Sequence, residues 1–296
     1  HRSRLGNPEG RSVNQAIRDW MVLCKARIQI LSTPAACACT WIASDGTAGW
    51  KLLAATAFGL TLVSSSAAAL NQLLEIGIDS RMERTKGRPL PAGRVRRRSV
   101  TAFIAISAVA GLAVLLWAAP LAAWLALVMI VLYDFIYTPL KRVTPFNTLV
   151  GALPGAFPLL VGWAAAGNGL DLRAGVMFAI LFLWQLPHFM AIAWLFREDY
   201  DRAGLRMLSG SDEGGVVSAR QAVHYAMTLV PVSLLPAVFG MAGRTYLYGA
   251  LTLGLAFLAF TARFGLARTT PRARTLMSAS LLYLPALLGL LLYDQT

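Results

Sequence analysis

Long apolar stretches alternate with short polar connections along the whole chain. Nine of them, at 22–43, 49–73, 99–117, 120–138, 147–166, 174–196, 222–241, 245–267 and 274–293, approach the roughly 20 residues a helix needs to cross a bilayer. Inside hydrocarbon each backbone polar group must be satisfied within its own segment, so every stretch is predicted to be helical. The pattern predicts an all-α integral membrane protein with nine transmembrane helices. Residues 1–21 read as a basic segment ahead of one membrane domain over 22–296. Pro154, Pro158, Pro187, Pro231 and Pro285 fall inside these stretches. Membrane helices tolerate proline, often where a kink faces a cavity.

Composition supports the same class. Of 296 residues, 57% are hydrophobic and 14% charged, against about 25% charged in an ordinary soluble domain. The net charge of +13 lies in the loops between apolar stretches, and no nucleic-acid-binding signature accompanies it. Cys24, Cys37 and Cys39 form no CxxC pair, which leaves them as small packing residues rather than a disulfide or zinc framework. The first 20 residues lack the apolar core of a cleavable signal, and the chain starts at His1, so a removed targeting sequence stays open.

The basic residues choose a side. Six lie in the segment through Arg27, and eight, two, four and four follow the second, fourth, sixth and eighth stretches, so 24 of 27 share one face. Lys51, Arg173 and Arg244 are on the other. The bias predicts the N-terminal segment and the even-numbered loops on the cytoplasmic side, or its equivalent in an organelle.

Carboxylates inside or at the end of a membrane span are costly and therefore mark candidate sites. Asn71, Glu75 and Asp79 are spaced by four, which stacks three oxygen-bearing side chains on one face of a helix. Such a set suits a hard cation such as Mg²⁺, which typically takes one or two carboxylates plus phosphate oxygens of a substrate. Arg84, Lys86 and Arg88 follow closely and suit a polyphosphate. A solvated helix end accounts for a single stray charge but poorly for this combination.

A second acidic group, Glu198, Asp199 and Asp201, ends the sixth stretch on the same face and is placed to oppose the first. Facing carboxylates can hold metal ions that bridge a diphosphate leaving group. The alternative is a solvated acidic turn balanced by Arg197 and Arg202, above all for Asp201. His188 precedes Asp199 by eleven residues, which on an ideal helix puts it about 20° away and about 16 Å deeper. It reads as a haem ligand or as a helix-to-helix hydrogen bond near Pro187. Lys141 and Arg142 are placed to reach the diphosphate, and Asp134 to pair with one of them. Lys25 and Arg27 lie just inside the same face, where ordinary membrane anchoring is the alternative and explains Lys25 equally well.

These residues, taken in order, resemble the UbiA superfamily of intramembrane prenyltransferases, and within it the haem-farnesylating branch. The likeness runs from Lys25 to about Leu208. It is carried by Lys25-Ala-Arg27, by Asn71 to Asp79 leading into Arg84-Thr-Lys86-Gly-Arg88-Pro-Leu90, and by Tyr137-Thr-Pro-Leu-Lys141-Arg142. Asn147 with a Gly/Pro-rich stretch, Pro187-His188-Phe189, Asp199-Tyr200, Ala203-Gly204 and Met207-Leu208 complete it.

The resemblance implies a barrel-like bundle of nine helices around a central cavity open toward lipid. It implies Mg²⁺ bound with farnesyl diphosphate, and haem B as the acceptor substrate converted to haem O for terminal oxidases. Asn71, Glu75, Asp79 and Asp199 are then the catalytic metal ligands, and Lys25, Arg27, Arg84, Lys86, Arg88, Lys141 and Arg142 the diphosphate partners. His188 becomes a haem contact. A haem A synthase or terminal-oxidase assembly protein is a conceivable partner, and the bacterial plasma membrane or the mitochondrial inner membrane the setting. The chain departs from the family where Glu75 and Gly77 replace aspartates of the first motif, and where Ala203 replaces a second aspartate after Asp199. A prenyltransferase for a quinone precursor or chlorin shares the acidic motifs. A transporter predicts charges at mid-bilayer and an internal repeat instead.

Overall fold

The computed structural model describes residues 12–206 and 212–296, and its regular elements are helices. Ser12 caps α1 (Val13–Leu23), and Lys25, at φ 49°, breaks the chain before α2 (Ala26–Ala43). Then follow α3 (Trp50–Leu74), α4 (Ile76–Asp79) and α5 (Arg97–Ala118). α6 (Pro120–Ile130), a π-helical turn (Val131–Tyr137) and α7 (Thr138–Leu140) form one continuous run. The rest are α8 (Asn147–Ala165), α9 (Leu172–Leu195), α10 (Arg197–Arg202), α11 (Val216–Val232), α12 (Leu235–Val238), α13 (Arg244–Leu266) and α14 (Thr270–Tyr293).

Eight of the nine expected spans are helices long and apolar enough to cross a membrane, and the chain is a multi-pass membrane protein. The remaining one, expected at 22–43, is divided. α1 is a short amphipathic helix that exposes Val13, Ile17 and Met21 at four-residue spacing. α2 is only 18 residues long and carries Arg27, Gln29 and Pro34, so it falls short of the other eight in apolarity. It still takes a place in the bundle, against α3 and α8. α11 begins at Val216, ahead of the expected 222, because the Asp212 carboxylate accepts the Val217 and Ser218 amides at 3.0 and 2.6 Å. Its polar first turns carry no apolar signal.

Small residues set how closely the helices approach. A methyl group at Gly162 would lie 2.1 Å from the Ala36 carbonyl oxygen, so α8 and α2 meet backbone to backbone. Thr40 Oγ1 seals this contact by donating to the Gly162 carbonyl at 2.8 Å. At α3 and α5, a methyl at Gly111 would lie 2.8 Å from the Gly59 carbonyl oxygen. A cavity lies at the end of the bundle where α3, α7 and α9 terminate.

Candidate active site

Asn71 sits in the last full turn of α3, and the helix breaks at Glu75 (φ −100°, ψ 13°) before resuming as α4. The three oxygen-bearing residues are therefore not on one uninterrupted helix face, as the spacing suggested. They converge all the same. Asn71, Glu75 and Asp79 are 1%, 6% and 2% exposed and line one cavity of about 250 Å³.

Each is held by a basic or polar partner from elsewhere in the chain. Lys141 Nζ lies 3.0 Å from both Glu75 oxygens. Asn71 Nδ2 donates to Glu75 at 2.9 Å and to Thr138 Oγ1 at 3.0 Å. Lys25 Nζ donates to Asn71 Oδ1 at 3.1 Å and to the Tyr133 hydroxyl at 2.6 Å. Arg88 Nη1 approaches the two Asp79 oxygens at 2.9 and 2.7 Å. Burial works against the Lys141 ammonium, but the Tyr137 and Glu75 oxygens outweigh it and hold its pKa above the ordinary value.

Asp199 does a different job. Its carboxylate accepts the backbone amides of Glu83 (3.3 Å) and Arg84 (3.0 Å) and a hydrogen bond from Arg202. Burial alone would raise its pKa, but these donors hold it below the usual carboxylate range. Asp199, expected to face Glu75 and Asp79 across the cavity, does not line that cavity and instead fastens the backbone beneath Arg84. The Arg84 guanidinium in turn lies over Phe196, 4.5 Å from the ring centre, and donates to the Tyr200 hydroxyl at 3.3 Å. Among the described residues no three His, Cys, Asp or Glu side chains converge as a metal cage. Asn71, Glu75 and Asp79 do match a cation that completes its shell with substrate phosphate oxygens.

Other expected residues lie outside the cavity. Arg27 and Arg142 are exposed and do not line it, and exposed Lys86 pairs with Glu83 at 2.5 Å. Asp134 is 1% exposed and neither oxygen has a hydrogen-bond partner, so the expected pairing with Lys141 or Arg142 does not form. Lys141 is committed to Glu75 instead. His188 points toward α14, with Nδ1 2.7 Å from Ser280 Oγ, and does not line this cavity. The ideal-helix phase relating it to Asp199 fails because α9 stops at Phe196 (φ −117°, ψ 20°). Met207 and Leu208 of the family-like motif lie outside the described residues.

Tyr133 and Tyr137 also line the cavity, and the charge pattern alone does not single them out. Tyr133, Tyr137 and Lys141 follow one another at a spacing of four, which is a usable signal. The π-helical turn that carries them leaves no mark in the sequence, although such turns gather at functional sites. Ile28, Met82, Phe189 and Ile192 add an apolar part to the same lining.

A helical membrane bundle that holds an anion cradle and an apolar wall in one cavity is suited to an amphiphile with a polyanionic head. The chain belongs to the UbiA prenyltransferase family, whose model matches residues 31–287. Among its relatives is a protohaem IX farnesyltransferase of Solibacter usitatus, 49% identical over 242 residues, covering 81% of this chain and 82% of the relative. The mitochondrial protohaem IX farnesyltransferase of Arabidopsis thaliana is 40% identical over 80% of this chain and 56% of its own length. Among solved structures, a digeranylgeranylglyceryl phosphate synthase superposes with a TM-score of 0.78 at 17% identity, covering 95% of this chain and 98% of that one. A UbiA homologue of Archaeoglobus fulgidus bound to DMAPP and Mg²⁺ superposes with a TM-score of 0.65 at 13% identity, covering 92% and 99%.

Proposed function

We propose that this chain transfers the farnesyl group of farnesyl diphosphate to a vinyl group of haem B, giving haem O and diphosphate. The observation that carries the reading is the cradle in which Lys25, Arg88 and Lys141 surround Asn71, Glu75 and Asp79 beside an apolar wall. The relatives named protohaem IX farnesyltransferase support haem as the acceptor.

Asn71, Glu75 and Asp79 would hold Mg²⁺ together with the diphosphate; a fold relative is bound to DMAPP and Mg²⁺. The ion supplies positive charge to the leaving group. Lys25, Arg84, Arg88 and Lys141 supply the rest. The bond between farnesyl C1 and the diphosphate oxygen breaks, and both electrons leave with the diphosphate. The apolar wall limits access of water to the allylic cation. The haem vinyl carbon attacks that cation, water adds to the new cation on the porphyrin side, and one proton is released. No protein nucleophile is needed. The cavity is below the roughly 300–1,000 Å³ typical of small-molecule sites, so it takes the diphosphate head while the isoprenoid runs past Phe189 and Ile192. His188 contacts the haem beyond them. The basic bias puts the diphosphate face on the cytoplasmic side of a bacterial plasma membrane, or the matrix side in a mitochondrion. A haem A synthase or an oxidase assembly protein would receive the product.

Purified protein with haem B, farnesyl diphosphate and Mg²⁺ should yield haem carrying farnesyl and hydroxyl, detected by mass. Asp79→Asn should abolish this while the protein stays folded and monodisperse. Product from quinone precursors but not haem would move the acceptor assignment, and full activity of Asp79→Asn would end the metal assignment.

A further inference from the structure

His188 makes one hydrogen bond, and its partner determines which ring nitrogen is left free. Nδ1 lies 2.7 Å from Ser280 Oγ, on α14. Ser280 is fully buried, and its Oγ is also 2.6 Å from the Met277 carbonyl oxygen. The Met277 carbonyl can only accept, so it competes with His188 for the single hydroxyl hydrogen of Ser280. Both contacts are hydrogen bonds at once only in the tautomer whose Nδ1 carries the hydrogen and donates to Ser280 Oγ. In that tautomer Nε2 is the acceptor nitrogen, and it is neither hydrogen-bonded nor fully enclosed among the described residues.

The ring is held in that orientation. Trp184 stacks on it at 5.7 Å between centres and 14° between planes. The Trp184 indole N–H donates to the Ser280 carbonyl at 2.8 Å, which ties α9 to α14 at this level. One turn onward on the same side of α9, Ile192 lines the site cavity. His188 thus sits on α9 about one helical turn from a residue of the cavity wall.

We infer that Ser280 is a positioning residue that fixes His188 as the Nδ1–H tautomer and so presents Nε2 as a Lewis base to the iron of the acceptor haem. This rests on the haem reading above for its ligand, but not for its tautomer. A ligating histidine commonly donates its other N–H to such a partner, and losing the partner typically costs roughly 10–100-fold in metal affinity.

The tautomer is testable without haem. Nitrogen-15 NMR of histidine-labelled full-length protein, with His188→Ala to assign the signal among three histidines, should show His188 protonated at Nδ1. Protonation at Nε2 would overturn the inference. In a haem B titration followed by absorption, Ser280→Ala should weaken binding roughly 10–100-fold and alter the bound spectrum. Ser280→Thr, which keeps the hydroxyl, should restore both. Affinity for a farnesyl diphosphate analogue, the control for folding, should stay constant. If His188→Ala changes the haem spectrum while folded Ser280→Ala does not, the positioning role fails. If His188→Ala leaves the spectrum untouched, the haem contact itself fails, and the NMR result still decides the tautomer.

Discussion

Lys141 Nζ lies 3.0 Å from both carboxylate oxygens of Glu75, a residue 66 positions earlier, and the two side chains are 12% and 7% exposed. A carboxylate buried at the end of a membrane helix is costly alone and tolerable beside an ammonium. Each member of the pair therefore makes burial of the other tolerable. Lys141→Met should destabilise the protein by about 3–5 kcal/mol, the usual cost of orphaning one member of a buried pair. Thermal unfolding in detergent checks this, and the double variant with Glu75→Leu should recover much of the loss. Glu75→Asp keeps the charge and should keep activity.

Arg88 grips Asp79 and lines the cavity, so it should contribute to diphosphate binding rather than to orientation alone. Arg88→Gln leaves most of the loop's positive charge and should insert normally. Affinity for farnesyl diphosphate should fall by roughly 1.5–3 kcal/mol, one hydrogen bond to a charged group. A binding isotherm indistinguishable from that of the parent would remove Arg88 from the site.

The Asp199 clamp on the Glu83 and Arg84 amides carries a pH signature. Its carboxyl is held below the usual range, so its stabilisation is fully present above the unfolded value of about 3.9 and disappears as pH falls through the folded value. Hydrogen exchange at the Arg84 amide, corrected for intrinsic rates, should keep constant protection from neutral pH down toward the unfolded carboxyl value and lose it progressively below that value. Asp199→Ala should lower protection at neutral pH by about tenfold or more.

Asp134, in the π-helical turn, is buried with both oxygens unpartnered. Burying a polar group without a hydrogen bond costs about 1–3 kcal/mol in protein mutational data. Asp134→Leu should accordingly raise the thermal midpoint. A lowered midpoint with intact insertion would mean that the carboxyl is satisfied in the working enzyme.

The membrane class, eight of the spans (most of them within a few residues) and the residue types of the site are legible in the amino-acid sequence. Apolar runs of bilayer length admit only one solution for the backbone, and carboxylates at helix ends are conspicuous in so apolar a chain. The sequence also places Tyr133, Tyr137 and Lys141 at a spacing of four, one side of a helix. Which charge neutralises which is settled only by the packing of the helices. Lys141 goes to Glu75 and leaves Asp134 unpartnered, and Arg88 goes to Asp79. Asp199 braces a backbone turn, while Arg27, Lys86 and Arg142 stay outside the cavity. Packing also sets where helix phase is lost, at Lys25, Glu75 and Phe196, and brings His188 to Ser280 rather than to the Asp199 face. The difference is one of range. Hydropathy and helical period act over one segment, whereas a buried polar group takes whichever partner the packed helices bring within about 3 Å, and that partner stands 66 residues away for Glu75 and 92 for His188.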